Sequence, residues 1–159
     1  MAQDYVGSNN INLLVPEGSF GTRLLGGKDA ASARYISTFL NKIARAIYHK
    51  GDDALLETLY DDGRPVEPRW YMPVMPMVLV NGADGIGTGW STNIPNYNPS
   101  EIIDNIRRLM RKEPLAPMMP WYRGFRGAIE PEAMGGKFRT CGTIEKISDT
   151  ELQISELPI

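Results

Sequence analysis

At 159 residues, 42% hydrophobic and 23% charged, the chain has the size and composition of one ordinary domain or two small pieces, which excludes a disordered tail, a collagen-like repeat and a coiled coil. Its net charge of −2 lacks the basic excess that usually marks a nucleic-acid-binding domain, but the charge is unevenly placed: residues 1–50 carry +3, residues 51–100 carry −5, and residues 101–159 balance. With Cys141 the only cysteine and His49 the only histidine, an intrachain disulfide and a Cys-based zinc site are excluded, and a His-carboxylate metal cluster or a Ser-His-Asp triad is disfavoured.

Taken in chain order, residues 1–33 show little periodicity. Turns at Asn-Asn, Pro-Glu-Gly and Gly-Gly-Lys-Asp predict short strands at Ile11–Val15 and near Arg23–Leu25. Ile36, Phe39, Leu40, Ile43 and Ile47 fall on one helical stripe, which predicts a helix ending at Gly51. Asp52 and Asp53 suit the first turn of a second short helix bearing Leu55, Leu56 and Leu59. Arg64–Pro68 reads as a loop. Trp70–Val80, with Pro73 and Pro76 inside it, reads as an edge or broken strand.

A glycine-rich loop is expected over Asn81–Trp90. Asn98-Pro99-Ser100-Glu101 is a strong helix start, with Asn as N-cap, Pro at the first position and Glu at the third. That helix carries Ile102, Ile103, Ile106, Leu109 and Met110 on one face and Arg107, Arg108, Arg111 and Lys112 mostly on the other, and Pro114 stops it. Leu115–Tyr122 reads as a loop. Thr143–Ile147 and Glu151–Leu157 read as strands joined at Ser148-Asp149. A helical first half and a sheet-rich second half would meet near residues 50–65. No apolar run reaches the roughly 18 residues of a membrane span, so no membrane partner is expected. The opening MAQDYVGSNN lacks a signal-peptide pattern, and both ends read as cut.

Four groups of residues could carry chemistry. In Phe20–Asp29, glycines allow close backbone approach and Arg23 and Lys28 could pair with phosphates; the alternative is a turn with two solvated cations. The glycine spacing there is not that of a P-loop. Arg34-Tyr35 sits at the expected helix start. A free tyrosine hydroxyl is a weak nucleophile at neutral pH. A helix N-terminus and an adjacent guanidinium both favour the phenolate, and the guanidinium could stabilise charge on a phosphoryl oxygen. The alternative is a tyrosine packed at the edge of the Ile36/Phe39 stripe.

In Asn81–Trp90, the Gly-x-Gly spacing hints weakly at a dinucleotide site. Ile86 among those glycines is either buried or a wedge for base pairs. The cations of the 99–112 helix, followed by Arg123, Arg126, Lys137 and Arg139, are either a solvated face or a backbone contact for DNA.

The runs QDYVGSNNINLL…FGTRLLGGKDAASARYI, PVMPMVLVNGADGIGTGWSTNIPNYNPSEIIDNIRRLM and the terminal ISELPI resemble, in order, the active-site tyrosine region of eukaryotic-type type IIA DNA topoisomerases. The resemblance covers nearly the whole chain and is least distinctive over Met134–Thr140. It implies that Tyr35 attacks a DNA phosphodiester to leave a 5′-phosphotyrosyl link, with Arg34 assisting at the scissile phosphate. It also implies that Arg23 and Lys28 contact the DNA backbone, and that Ile86 inserts between base pairs of a bent duplex.

The fold implied is α+β. Residues 1–50 would be the C-terminal part of a winged-helix domain, and residues 51–159 a mixed α/β tower domain incomplete at its C-terminus. The resemblance further implies double-stranded DNA as substrate, a homodimer and a nuclear location. Mg2+ and ATP would serve the full-length enzyme, with neither held by this chain, and the chain alone would be inactive. The acid of residues 51–70 and of the C-terminal end would face away from DNA. A non-catalytic DNA-bending module and, on the 82–89 glycines alone, a dinucleotide-binding enzyme are the rivals.

Overall fold

A computed structural model describes residues 1–132 and 136–159; the first two residues of the Met134–Thr140 stretch therefore lie outside the described residues. Among the described residues, ten short strands form five antiparallel two-stranded ladders, each strand pairing with the next in sequence. They are β1 (Leu14–Glu17) with β2 (Ser37–Leu40), β3 (Thr58–Asp61) with β4 (Arg64–Pro68), β5 (Ala83–Gly87) with β6 (Trp90–Ile94), β7 (Ala128–Pro131) with β8 (Phe138–Cys141), and β9 (Thr143–Lys146) with β10 (Leu152–Glu156). Three helices accompany them: α1 (Ala44–Ile47), α2 (Met77–Val80) and α3 (Pro99–Met110).

The helix predicted from Ile36 to Ile47 is not there. Its first part is β2, held to β1 in the register Leu14↔Leu40 through Glu17↔Ser37. The Thr38 hydroxyl donates to the Val15 carbonyl, and the Asn41 backbone N–H donates to the Leu13 carbonyl. Pairing with a distant strand outweighs the local 3.6-residue period, and β-branched Ile36 and Thr38 suit a strand. Only the end of the stripe is helical, as α1, where Ala44 and Ile47 are buried. With the one long helix in its second half, the chain does not divide into a helical first half and a sheet-rich remainder.

Other expectations also change. Arg23–Leu25 is a 3₁₀ turn, not a strand, and Lys50–Leu55 is a 3₁₀ turn capped by the His49 imidazole, which accepts from the Gly51 N–H. Leu59 lies on β3. Arg64–Pro68 is a strand because Asp62 and Gly63 both take positive φ (46° and 76°), the tight two-residue hairpin turn. Met77–Val80 is one helical turn, in which the Pro76 carbonyl accepts from Leu79 and Val80. The glycine-rich 81–90 segment is mostly hairpin, in the register Ala83↔Ile94 through Gly87↔Trp90.

The start of α3 is as expected: Asn98 Oδ1 accepts from the Ser100 N–H (2.9 Å) and Pro99 occupies the first turn. Its apolar face is narrower than expected. Ile102 is buried, but Leu109 and Met110 are exposed. The C-terminal hairpin also stands within a residue of expectation. Ala2, Ala44, Ile47, Val80 and Ile102 are the buried apolar residues among those described. A ladder of two strands buries little and is marginal in water by itself. Asparagine side chains at Asn10, Asn81 and Asn96 add hydrogen bonds between segments far apart in the chain.

Candidate nucleic-acid interface

Arg23, Lys28, Arg34 and Tyr35 all lie on one segment, the 18–36 connection between β1 and β2. The segment closes on itself. The Gly27 N–H donates to the Thr22 carbonyl (3.0 Å), and Asp29 accepts from both the Thr22 N–H and its hydroxyl (2.8 Å each). Those bonds, the Thr22 N–H first, hold the Asp29 carboxyl below its usual range. Gly27 has φ +82°, and a Cβ there would fall 2.6 Å from Gln3 Nε2 and 2.8 Å from the Tyr5 hydroxyl. The positive φ favours glycine at the point where the loop meets the N-terminal segment.

Arg34 and Tyr35 sit on a three-residue 3₁₀ turn, Ala33–Tyr35, in which the Tyr35 N–H donates to the Ser32 carbonyl (2.9 Å). The expected helix N-terminus is therefore absent, and its dipole with it. Tyr35 is 73% exposed, so it is not packed at the edge of an apolar stripe. The Arg34 guanidinium lies over the Tyr35 ring, 5.0 Å from its centroid. That contact places a positive charge over the face of an exposed tyrosine.

Arg23 is already engaged. Its guanidinium meets Glu156 Oε1 at 2.7 Å and donates to the Leu157 carbonyl at 2.7 Å. Glu156, on β10, is 8% exposed and also accepts from the Arg126 N–H (2.9 Å) and its neighbour Leu157 N–H (3.0 Å). The Arg126 N–H chiefly, then Arg23, holds the Glu156 carboxyl below its usual range. The C-terminal acid thus does not stand apart from the basic loop: one of its carboxylates grips it. Sequence reasoning missed Glu156, and the partners are too far apart in the chain for spacing to reveal them.

A carboxylate with a lowered folded-state pKa adds stability that is full above its unfolded value and is lost as pH falls through the folded one. Glu156 and Asp29 both act this way on the 18–36 segment. We expect acid below about pH 4, the unperturbed carboxylate range, to release this segment before the rest of the chain. Hydrogen exchange of residues 22–29 at falling pH measures it, and protection that persists to global unfolding would contradict it.

Lys28 is exposed and makes no ion pair among the described residues. Along α3, Arg107 pairs with Asp104 (3.3 Å) and Arg111 with Glu113 (2.8 Å), while Arg108 and Lys112 have no acidic partner among the described residues. Arg139 stands 3.7 Å from Glu132. The helix keeps a partly solvated cationic face.

Ile86 is 94% exposed on β5, opposite Ser91, beside the Thr88-Gly89 tip of the hairpin. It is an apolar side chain carried out from the body on two strands. Glycines 82–89 thus shape a hairpin, not the strand-to-helix turn that a dinucleotide site needs. Among the described residues, no three His, Cys, Asp or Glu side chains come together as a metal site. No helix there is long and apolar enough to cross a membrane.

A family model for the DNA gyrase/topoisomerase IV A subunit matches residues 1–159. The chain belongs to that family. DNA topoisomerase 2 of Pisum sativum is 60% identical over 159 residues and that of Saccharomyces cerevisiae 58% over 158, covering 100% and 99% of this chain. The chain spans 11% of the length of each of these relatives. The crystal structure of the Plasmodium falciparum topoisomerase II DNA-binding, cleavage and re-ligation domain matches with TM-score 0.91 and 54% identity, over 99% of this chain and 22% of that one. This gyrase/topoisomerase-family chain therefore has the mixed α/β architecture of that domain, the coarser form of the α+β expectation.

Proposed function

We propose that this chain is the strand-cleaving segment of an ATP-dependent type II DNA topoisomerase, which cuts both strands of one duplex, passes a second duplex through the break and reseals it. The observation that supports this most is the Arg34–Tyr35 pair, exposed on one turn of a cation-bearing loop. It stands in a family whose relatives carry the name topoisomerase 2.

The Tyr35 oxygen attacks phosphorus. A tyrosine O–P bond forms as the P–O3′ bond breaks, the phenolic proton passes to solvent, and the departing 3′ oxygen takes up a proton. The 5′-phosphotyrosyl link keeps the energy of the broken ester, so attack by the 3′-hydroxyl reseals the strand without further input. Arg34 stabilises charge on the phosphoryl oxygens during both steps. Lys28 contacts the DNA backbone. Arg23 reaches it only with the guanidinium surface left free by Glu156. Ile86 enters between base pairs and opens a bend, trading unstacking for a wider protein contact.

On this reading residues 1–50 are the end of a winged-helix domain and residues 51–159 part of a tower domain. Two copies cut opposite strands in a nuclear homodimer. The enzyme uses Mg2+ and ATP, which on this reading are held outside this chain. Incubated alone with supercoiled plasmid and magnesium, the chain should leave no covalent adduct, whereas the full-length enzyme should. Adducts from the chain alone that disappear on Tyr35→Phe would overturn that division of labour. A non-catalytic DNA-bending module would not need the Arg34–Tyr35 pair.

A further inference from the structure

Both feet of the Ile86 hairpin are held by asparagine amides to the segment that leads into β1. Asn81, two residues before β5, closes a two-way bond with a single residue's backbone. The Ile11 N–H donates to Asn81 Oδ1 (2.9 Å), and Asn81 Nδ2 donates to the Ile11 carbonyl (2.8 Å). At the other foot, two residues past β6, buried Asn96 donates from Nδ2 to the Ser8 carbonyl (2.7 Å). Gly82 lies between the feet with φ +68°, where a Cβ would fall 2.5 Å from both Asn96 Oδ1 and the Ile94 carbonyl. The feet approach closely there, leaving room only for glycine. Buried Asn10 completes the set, donating to the Tyr97 and Trp121 carbonyls (3.1 and 2.9 Å) and accepting from the Arg123 N–H (2.8 Å).

Residues 8–11 run directly into β1, and β1 opens the connection that carries Arg34 and Tyr35. Among the described residues, nothing packs on the hairpin beyond its feet to set its direction: Asp84 through Thr92 are exposed throughout. Its aim is therefore set at the base, and the base is an amide clamp. A side-chain amide that satisfies both groups of one backbone unit fixes distance and angle together, as a single hydrogen bond does not.

We propose that Asn81 is a positioning residue for the wedge. Through its two-way bond to Ile11 it fixes the Ile86 hairpin relative to β1, and so sets the span between the base step that Ile86 opens and the phosphodiester that Tyr35 meets on the same duplex. The proposal rests on the reading of Ile86 as a wedge, and the test separates the two.

The test measures the bend of an end-labelled duplex by FRET, at saturating concentrations of the full-length enzyme, for Ile86→Ala, Asn81→Ala, Asn81→Asp and the Asn81→Ala/Ile86→Ala double variant. Ile86→Ala and Asn81→Ala should each lower the bent-to-straight ratio about fivefold or more, and the double variant should fall no further than Ile86→Ala alone, because one acts through the other. Asn81→Asp keeps the acceptor for the Ile11 N–H but sets a carboxylate oxygen against its carbonyl, so its loss should be at least as large as that of Asn81→Ala. An unchanged bend in Ile86→Ala would remove the wedge reading and this proposal with it. A lowered bend in Ile86→Ala beside an unchanged bend in Asn81→Ala, or losses that add in the double variant, would overturn the proposal alone. So would failure of both Asn81 variants to fold, since a clamp on the hairpin leaves the body intact.

Discussion

Tyr35→Phe in the full-length enzyme is expected to abolish covalent DNA adducts and plasmid relaxation together, a loss of roughly 10⁴-fold or more, the scale of removing a nucleophile. The substitution removes one oxygen. The ring stays, and so does its contact with Arg34 at 5.0 Å, so the turn keeps its shape. Tyr35 makes no part of the buried core, and its exposure means that folding does not depend on its hydroxyl. Duplex binding in a gel-shift assay should therefore persist while chemistry does not. Cleavage that survives in the phenylalanine variant would move the nucleophile to another residue.

Arg34→Ala should cost about 10²–10³ in cleavage rate, the range seen when one preorganised donor to a developing oxyanion is lost. The guanidinium lies on the tyrosine ring, so its charge stays within reach of whatever phosphate the hydroxyl approaches. Arg34→Lys restores the charge but not the planar cover on the ring, so it should recover only part of the rate. Equal rates for the Lys and Ala variants would mean that planar stacking matters and charge does not. A rate unchanged in Arg34→Ala would remove Arg34 from the reaction. Single-turnover cleavage of a short duplex separates either effect from strand passage.

How far this was legible from the residues differs by element. The start of α3 was clear because its signals are local: Asn98, Pro99 and Glu101 each act within one turn. The β9–β10 hairpin was clear for the same reason. The β1–β2 ladder was hidden because its strands are separated by the whole 18–36 connection, and Ile36 through Ile47 fit a helical period by coincidence of spacing. The Asp62-Gly63 turn is a local hairpin signal that the loop expected over Arg64–Pro68 leaves unused. The glycines of 82–89 concealed a hairpin because they lack the side chains on which strand alternation is read.

The site divides in the same way. Tyr35 and Ile86 are exposed, which spacing alone could not tell from packing. The Glu156–Arg23 pair and the Asn81–Ile11 clamp join residues more than sixty positions apart, and single charged or amide residues carry no mark of such a partner. The sequence-level view that a C-terminal acid would face away from the basic loop fails for Glu156, because a net charge says nothing about which carboxylate folds back.

The central claim is that Tyr35 forms the covalent bond to DNA. Its most direct test is to trap the cleavage complex of the full-length enzyme with denaturant, digest protein and DNA, and locate the nucleotide-bearing peptide by mass spectrometry. The account predicts a nucleotide attached through its 5′-phosphate to the Tyr35 oxygen. Attachment at any other residue, or a 3′-phosphate link at Tyr35, would contradict it.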